Sequence, residues 1–451
     1  MFTYEETLAY IDQFAETGRE TGHLPLAQTL DLLRVTQLLE RLGDPQRRYP
    51  AVHIAGTKGK GSVCVLCASV LQAAGYRVGL FTSPHLQDFC ERIQVNGEMI
   101  PRAAVVELVD DMRPMVAAIP NLTPFELKTA LAFSYFARQG VEAAVLEVGL
   151  GGRLDATNVV WPDVAVITSL SYDHMHLLGN TLAEIAAEKG GIIKPGVPVV
   201  VAPQAPEALE VLTRIAAERK SRLILVGRDW SFQPVAHSLE GQTFEAQPAG
   251  GEPLRLETTL LGAHQAQNGA VACAALTVLR ERGWRISPEA LAEGFRTARW
   301  PGRFEVLGRS PFVIADGAHN RDSAQKLAAA VRDYLPGRRV IVVFGAARHK
   351  DVPGMFAELL AGPALSVKHL VLTEAANFRA WDLNDLARLA AAAAPELPRS
   401  IAAPVARGLE KALELSAPED VILVCGSLFV VAEARAAWSA LQKAAVDNRR
   451  G

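Results

Sequence analysis

Gly56-Thr57-Lys58-Gly59-Lys60-Gly61-Ser62 follows a mostly apolar run, Ala51 to Ala55, and leads into a helix-like stretch beginning near Ser62. The order strand, glycine loop, helix is how a protein builds a cradle for nucleotide phosphates. Glycines let the backbone turn sharply and aim N–H groups inward, and the helix N-terminus adds partial positive charge. In this reading Lys60 reaches the terminal phosphates and the Ser62 hydroxyl holds a phosphate-bound Mg²⁺. Gly56, Thr57, Lys58, Gly59 and Gly61 form the cradle. The spacing departs from the standard phosphate-loop pattern, because Gly56 and Gly59 stand close together and Gly61 intervenes between lysine and hydroxyl. The plain alternative is a glycine-rich turn with a solvated lysine. The flanking strand and helix favour a nucleotide.

Outward from this loop the chain alternates strands and helices. Val52–Ala55 is predicted as a buried strand and Val63–Ala74 as a helix ended by Gly75. Arg77–Thr82, Ala143–Leu146 and Val164–Thr168 follow as strands, with Thr123–Gln139 a helix between the first two. Short apolar strands separated by helices predict an α/β fold with a mostly parallel sheet covered on both faces. In such sheets ligands sit beyond the carboxyl ends of the strands. From Leu223 to about Leu260 the pattern breaks into turn-rich pieces that read as an antiparallel addition. A second, smaller Rossmann-like α/β block starts near Phe304, with strands Phe312–Ala315, Arg339–Phe344, His369–Thr373 and Val421–Cys425. Pro301 and Gly302 lie between the two periodic regions, so the expected domains are 1–298, P-loop ATPase-like, and 299–451.

Bulk properties narrow the classes. A chain of 451 residues exceeds one ordinary core. Its charged fraction of 21% and hydrophobic fraction of 49% are those of a globular protein. A net charge of −3 with interspersed signs gives no nucleic-acid groove and no membrane-seeking surface. No apolar run approaches the roughly 18 residues that span a bilayer. The N-terminus is acidic and amphipathic rather than signal-like. With five cysteines, these features lead to an expected cytoplasmic location. Cys64 and Cys67 form a C-x-x-C inside the helix after the glycine loop, and a packed helix face accounts for them better than metal or redox chemistry.

Polar clusters follow several strands. Ser83 stands in Thr82-Ser83-Pro84-His85-Leu86 at the same sheet edge as the loop. Glu147 ends an apolar run and precedes Gly149-Leu150-Gly151-Gly152-Arg153, a good position for a carboxylate that holds Mg²⁺. In Asp173-His174-Met175-His176, His174 is a candidate divalent-metal ligand that Asp173 would orient. Lys189, in Glu188-Lys189-Gly190-Gly191-Ile192, reads from spacing alone as a helix C-terminal lysine facing the dipole. Asp316 and His319 follow a strand in Asp316-Gly317-Ala318-His319-Asn320. Arg303 is an arginine suited to oxyanions. A solvated turn accounts equally well for these last three.

Together and in this order, these pieces resemble the Mur ligase superfamily of ATP-dependent amide-forming ligases, and within it the folylpolyglutamate synthase/dihydrofolate synthase family. The resemblance is carried by the segments 53–62 and 82–86 and by Leu146-Glu147-Val148-Gly149-Leu150-Gly151-Gly152-Arg153-Leu154-Asp155-Ala156-Thr157-Asn158. The segment 188–192, Trp300-Pro301-Gly302-Arg303 and the segment 316–320 complete it. The family's loop shows the same extra glycine. Gly190 and Lys58 stand where the family often has alanine and asparagine.

The resemblance implies roles by position. Lys60 and the loop backbone hold the ATP phosphates, with Asn268, Arg303 and Asp316 as further ATP contacts. Ser62, Ser83, Glu147 and His174 match Mg²⁺ ligands at what are expected to be two metal sites. Lys189 matches a lysine typically carbamylated in the family, His319 sits near the transferring phosphate, and Phe125 and Asp155 match pterin contacts. The implied partners are small molecules: ATP, L-glutamate and dihydropteroate or folates, handled by a monomer. The implied chemistry converts a carboxylate to an acyl phosphate that an amine attacks, catalysed by positioning and charge neutralisation. Two other readings stay open. One is a Mur ligase acting on a UDP-sugar peptide, disfavoured because roughly 50 residues before the loop are too few for a UDP-binding domain. The other is a nucleotide-switched binding protein, which would not need Asp316 and His319.

Overall fold

The computed structural model describes residues 2–17, 31–348, 350–376 and 380–447. The chain divides into two compact units, one of residues 1–235, 243–259 and 265–299, the other of 236–242, 260–264 and 300–451.

The first unit is built on an eight-stranded sheet of β1 (Ala51–Ala55), β2 (Val78–Phe81), β3 (Ile93–Val95), β4 (Glu98–Met99), β5 (Ala143–Glu147), β6 (Val164–Ile167), β7 (Val199–Val201) and β8 (Leu223–Leu225). Their order is β4-β3-β2-β5-β1-β6-β7-β8. From β2 to β8 all neighbours are parallel, while β3 and β4 add an antiparallel edge. Every residue of β1 and β5 is buried, as parallel strands covered on both faces require. The helix Lys60–Ala73 carries Val63, Leu66, Val70 and Leu71 into the core and buries Cys64 and Cys67 with them. Burial pushes the Cys67 thiol up to about 12, in keeping with a packing role. The helix Pro124–Arg138 starts at a capping box in which Thr123 and Glu126 satisfy each other's backbone N–H groups. It buries Leu127, Leu131, Phe133 and Phe136, and each such side chain contributes about 2 kcal/mol of transfer free energy.

Two expectations from the sequence change here. Leu223–Leu225, expected to open the turn-rich region, is instead the parallel edge strand β8. That region begins after it, as the three-stranded sheet of β9 (Trp230–Ser238), β10 (Gly241–Pro248) and β11 (Leu254–Thr258), in order β11-β10-β9. The connections between consecutive strands are too short for a parallel crossover, so the strands turn back on themselves. The short strands β3, β4 and β7 were not distinguishable in sequence, because two or three residues carry no periodicity.

The second unit holds a six-stranded sheet of β12 (Glu305–Arg309), β13 (Phe312–Ala315), β14 (Arg339–Phe344), β15 (Ser366–Leu372), β16 (Arg399–Ile401) and β17 (Val421–Cys425). The order is β12-β13-β17-β14-β15-β16, parallel except for the β12–β13 hairpin. Its centre is fully buried, with Val421 to Cys425 at 0% exposure. Among the described residues no helix is long and apolar enough to cross a membrane.

Candidate active site

The glycine loop joins β1 to the helix Lys60–Ala73 and is shaped by what surrounds it. At Gly56 (φ 151°) an added Cβ would lie 1.8 Å from Thr168 Oγ1, so only glycine fits. At Gly59 (φ 88°), which precedes the helix, a Cβ would meet Asn268 Oδ1 at 2.4 Å. Asn268 is buried and donates from Nδ2 to Gln265 Oε1 at 2.9 Å. The backbone N–H groups of Thr57 and Lys58 donate to the Ser169 carbonyl at 2.9 and 3.1 Å, tying the loop to the end of β6. Lys58 Nζ pairs with Asp173 Oδ2 at 3.4 Å, which gives this side chain a partner the sequence did not identify.

At the end of β5, Glu147 is 4% exposed. Its Oε1 lies 3.9 Å from Lys60 Nζ, and its Oε2 accepts the Ser83 N–H at 3.0 Å. Glu147, Lys60 and Ser83, taken from three different elements, therefore meet at one sheet edge. Ser62 is buried in the first turn of the helix that Lys60 opens. A carboxylate with hydroxyl neighbours beside a phosphate cradle is a hard-oxygen donor set, the kind Mg²⁺ takes when it draws further ligands from substrate phosphates and water. Among the described residues no three His, Cys, Asp or Glu side chains converge on one point, so the donor set leans on hydroxyls. His174 sits at φ 49° with its ring 43% exposed and Nε2 3.8 Å from Asp173 Oδ1. The His176 side chain lies outside the described residues.

Lys189 lies in the last turn of the helix Leu182–Gly190, as spacing implied, but it is 5% exposed and its Nζ donates to the Gly56 carbonyl at 3.0 Å. Burial, with Lys60 adding like-charge repulsion, lowers its ammonium to about 7. A substantial neutral fraction near neutral pH makes this amine nucleophilic. The glycine-rich segment after β5 holds it there. At Gly152 a Cβ would lie 2.9 Å from the Glu188 carbonyl, and at Gly191 one would strike Arg153. The Arg153 N–H donates to the Glu188 carbonyl at 2.8 Å, and Asn158 Nδ2 donates to the Arg153 and Gly191 carbonyls. These glycines allow two backbones to touch.

Asp155 is buried beneath the same segment. Its Oδ2 accepts the Gly149 and Leu150 N–H groups at 3.0 and 2.9 Å, and its Oδ1 accepts the N–H and hydroxyl of Thr157. The carboxylate is thus committed to shaping the loop. Gly149 leaves space for the Phe125 ring, which a Cβ would meet at 2.4 Å. Phe125 also faces Phe81 at 6.0 Å between centroids, so an aromatic wall stands beside the Glu147 corner. His53 in β1 bonds Thr157 Oγ1 at 2.8 Å, and burial lowers it to about 3.

In the second unit the turn after β13 is tied to β17, the Asp316 N–H donating to the Val424 carbonyl at 3.0 Å and the Gly426 N–H to the Ala318 carbonyl at 3.0 Å. Asp316 accepts the Phe304 and Ala318 N–H groups at 2.7 and 2.8 Å. Burial raises its pKa, against the opposing charge of Arg303. His319 Nδ1 donates to the Gly317 carbonyl at 2.8 Å, which fixes the proton of the neutral ring on that nitrogen. An added Cβ at Gly317 would lie 2.3 Å from Arg303 Nη1, so the glycine lets the guanidinium lie over the turn.

Residues 54–276 match the Mur ligase middle domain, and residues 302–428 match the Mur ligase glutamate ligase domain. The dihydrofolate synthase/folylpolyglutamate synthase of Bacillus subtilis is 38% identical, covering 96% of this chain and 99% of that protein. The folylpolyglutamate synthase of Lacticaseibacillus casei is 37% identical over 82% of this chain and 85% of its own length. Among solved structures, Mycobacterium tuberculosis folylpolyglutamate synthase complexed with ADP superposes with a TM-score of 0.84 at 32% identity, covering 96% of this chain and 99% of that one. Escherichia coli FolC in complex with DHPP and ADP does so with a TM-score of 0.84 at 31% identity, over 100% of this chain and 99% of that one.

Proposed function

The chain belongs to the folylpolyglutamate synthase/dihydrofolate synthase family of Mur ligases, and from that premise we propose that it is an ATP-dependent ligase joining L-glutamate to dihydropteroate and to the glutamate tail of reduced folates. The observation that carries this reading is the meeting of Lys60, Glu147 and the Ser83 N–H beside the glycine cradle. In this reading residues 1–298 form the ATP-binding central domain, with the phosphate cradle, and residues 299–451 form the ligase domain.

A carboxylate oxygen of the acyl donor attacks the γ-phosphorus of ATP, the bond to the β-bridging oxygen breaks, and ADP leaves. The glutamate nitrogen then attacks the acyl carbon, inorganic phosphate departs, and the nitrogen loses a proton. Lys60 and the loop N–H groups neutralise charge on the phosphates during transfer. We assign Asn268, Arg303 and Asp316 to ATP and His319 to the transferring phosphate. Phe125 and the Asp155-held loop line the pterin pocket. Ser62, Ser83, Glu147 and His174 would hold Mg²⁺, which would offset the negative charge of the phosphates. Carbamylation of the Lys189 amine would supply a further anion at the loop, and its lowered pKa and burial support this. A ¹³C carbamate resonance in protein held in labelled bicarbonate, absent from Lys189→Arg, is the expected signature.

The test of the whole reading is incorporation of labelled L-glutamate with ATP, run in parallel with dihydropteroate and tetrahydrofolate. Incorporation with both is expected. Use of tetrahydrofolate alone would restrict the protein to tail extension. Use of neither, with ATP binding intact, would turn attention to a UDP-sugar peptide acceptor.

A further inference from the structure

Next to the Glu147 corner lies a set of positive charges that the ATP cradle does not use. The segment 83–88 turns tightly because the Glu91 carboxylate gathers the N–H groups of Leu86, Gln87 and Asp88 at 2.7, 2.9 and 2.9 Å. This fixes His85, whose Nδ1 accepts from Arg92 Nε at 2.8 Å. Arg92 is partly buried, and among the described residues no carboxylate lies within ion-pair distance of it and neither Nη finds a hydrogen-bond acceptor. Its charge interacts at longer range with Asp12, Glu147 and Glu91. Lys128, 15% exposed, also contributes charge here: it interacts with both Arg92 and His85. It pairs with Asp12 at 3.0 Å, but that carboxylate is 67% exposed and so weakly compensating. Lys128 also stands one helical turn beyond Phe125, on the same face of the helix Pro124–Arg138.

A guanidinium withdrawn from water with its Nη fork uncommitted favours a planar oxyanion. The carboxylate that reacts must approach the γ-phosphate near Lys60 and Glu147. A glutamyl-tailed donor carries a second carboxylate a few bonds from the reacting one, whereas dihydropteroate carries none. We propose that Arg92, oriented by His85 and assisted by Lys128, binds this spectator α-carboxylate and so determines specificity for glutamyl-tailed acyl donors. The inference rests on the ligase reading given above.

The test compares tetrahydropteroylglutamate with its α-carboxamide, which differs only at the spectator group, as acyl donors in ligation and as ligands in equilibrium binding with a non-hydrolysable ATP analogue. The wild type is expected to prefer the acid by about 10-fold or more, and Arg92→Gln to reduce that preference to within about threefold. Arg92→Lys, which keeps the charge without the fork, should recover part of it. Lys128→Met keeps the aliphatic stem and should give a smaller reduction, and it serves as the check should Arg92→Gln not fold. A wild-type preference retained in both variants, or absent from the wild type, would overturn the assignment. A wild type that takes neither donor would overturn the ligase reading itself, and this inference with it.

Discussion

The turn after β5 and the turn after β13 are alike in sequence: each is an apolar strand followed by an acidic residue and a glycine. Their construction differs. Glu147 is engaged by the N–H of Ser83, 64 residues away, and the neighbouring Lys189 reaches the Gly56 carbonyl across 133 residues. The Asp316 carboxylate and the His319 ring are held from within 12 residues, by Phe304, Ala318 and Gly317, while the backbone of the turn is tied to β17 through the Asp316 N–H and the Val424 carbonyl. The first site therefore exists only when a whole parallel sheet is assembled. In the second, the side chains are oriented by their own hairpin and helix start, within a backbone that β17 holds. A site made of long-range contacts couples function to stability, and a locally made one separates them.

Breaking the long-range cluster should have the largest effect. Lys60→Ala is expected to lower ligation by about 10³-fold or more with the fold intact by circular dichroism. A well-folded variant that still ligates would remove Lys60 from the mechanism. His319→Ala tests the opposite side. Ligation should fall by roughly 10²-fold while the melting temperature stays near that of the wild type, since the ring donates to the carbonyl of Gly317, two residues away. A large loss of stability would erase the distinction between the two turns.

Lys189→Met sharpens the coupling between function and stability. The folded ammonium is lowered from 10.5 to about 7, so below pH 7 both folded and unfolded chains are protonated and burial of the charge is felt in full. Between pH 7 and 10.5 the unfolded chain binds more protons, and wild-type stability rises with pH by at most about 1.4 kcal/mol per unit. The methionine variant should thus exceed the wild type most at pH 6, with the gap narrowing by pH 9.5 in denaturant titrations. A gap constant across that range would contradict the lowered pKa.

The smallest effect concerns His53, lowered from 6.5 to about 3 by burial. The unfolded chain takes up this proton first, so the term is a stability present above pH 6.5 and lost as pH falls toward 3. His53→Asn should flatten the acid limb of the stability curve by at most about one proton. An unchanged slope would assign acid unfolding to other groups.

Much of this was legible in the chain. The buried strands β1, β5, β13, β14 and β17 announced themselves as apolar runs, and the polar residues behind them marked the sheet edge. Spacing put Lys189 in the last turn of a helix, where it is, but a lysine there ordinarily meets solvent, and its burial was not legible. Close packing of Gly152 and Gly191 against the neighbouring backbone accompanies that burial. Asp155 matched a pterin contact through the family resemblance, and the structure adds four hydrogen bonds that it accepts from its own loop. Arg92 and Lys128 carried no motif at all, because what distinguishes them is a shared position beside His85 that only the packing of separate segments creates.

The sequence by itself determined the layered α/β fold, the phosphate cradle and the order of the polar turns, since these follow from local apolar pattern, glycine conformation and strand-end position. Tertiary structure alone decided which side chains are charged, buried or engaged. Solvation and Coulomb energies depend on neighbours brought together from distant segments, and no periodicity in the chain encodes them.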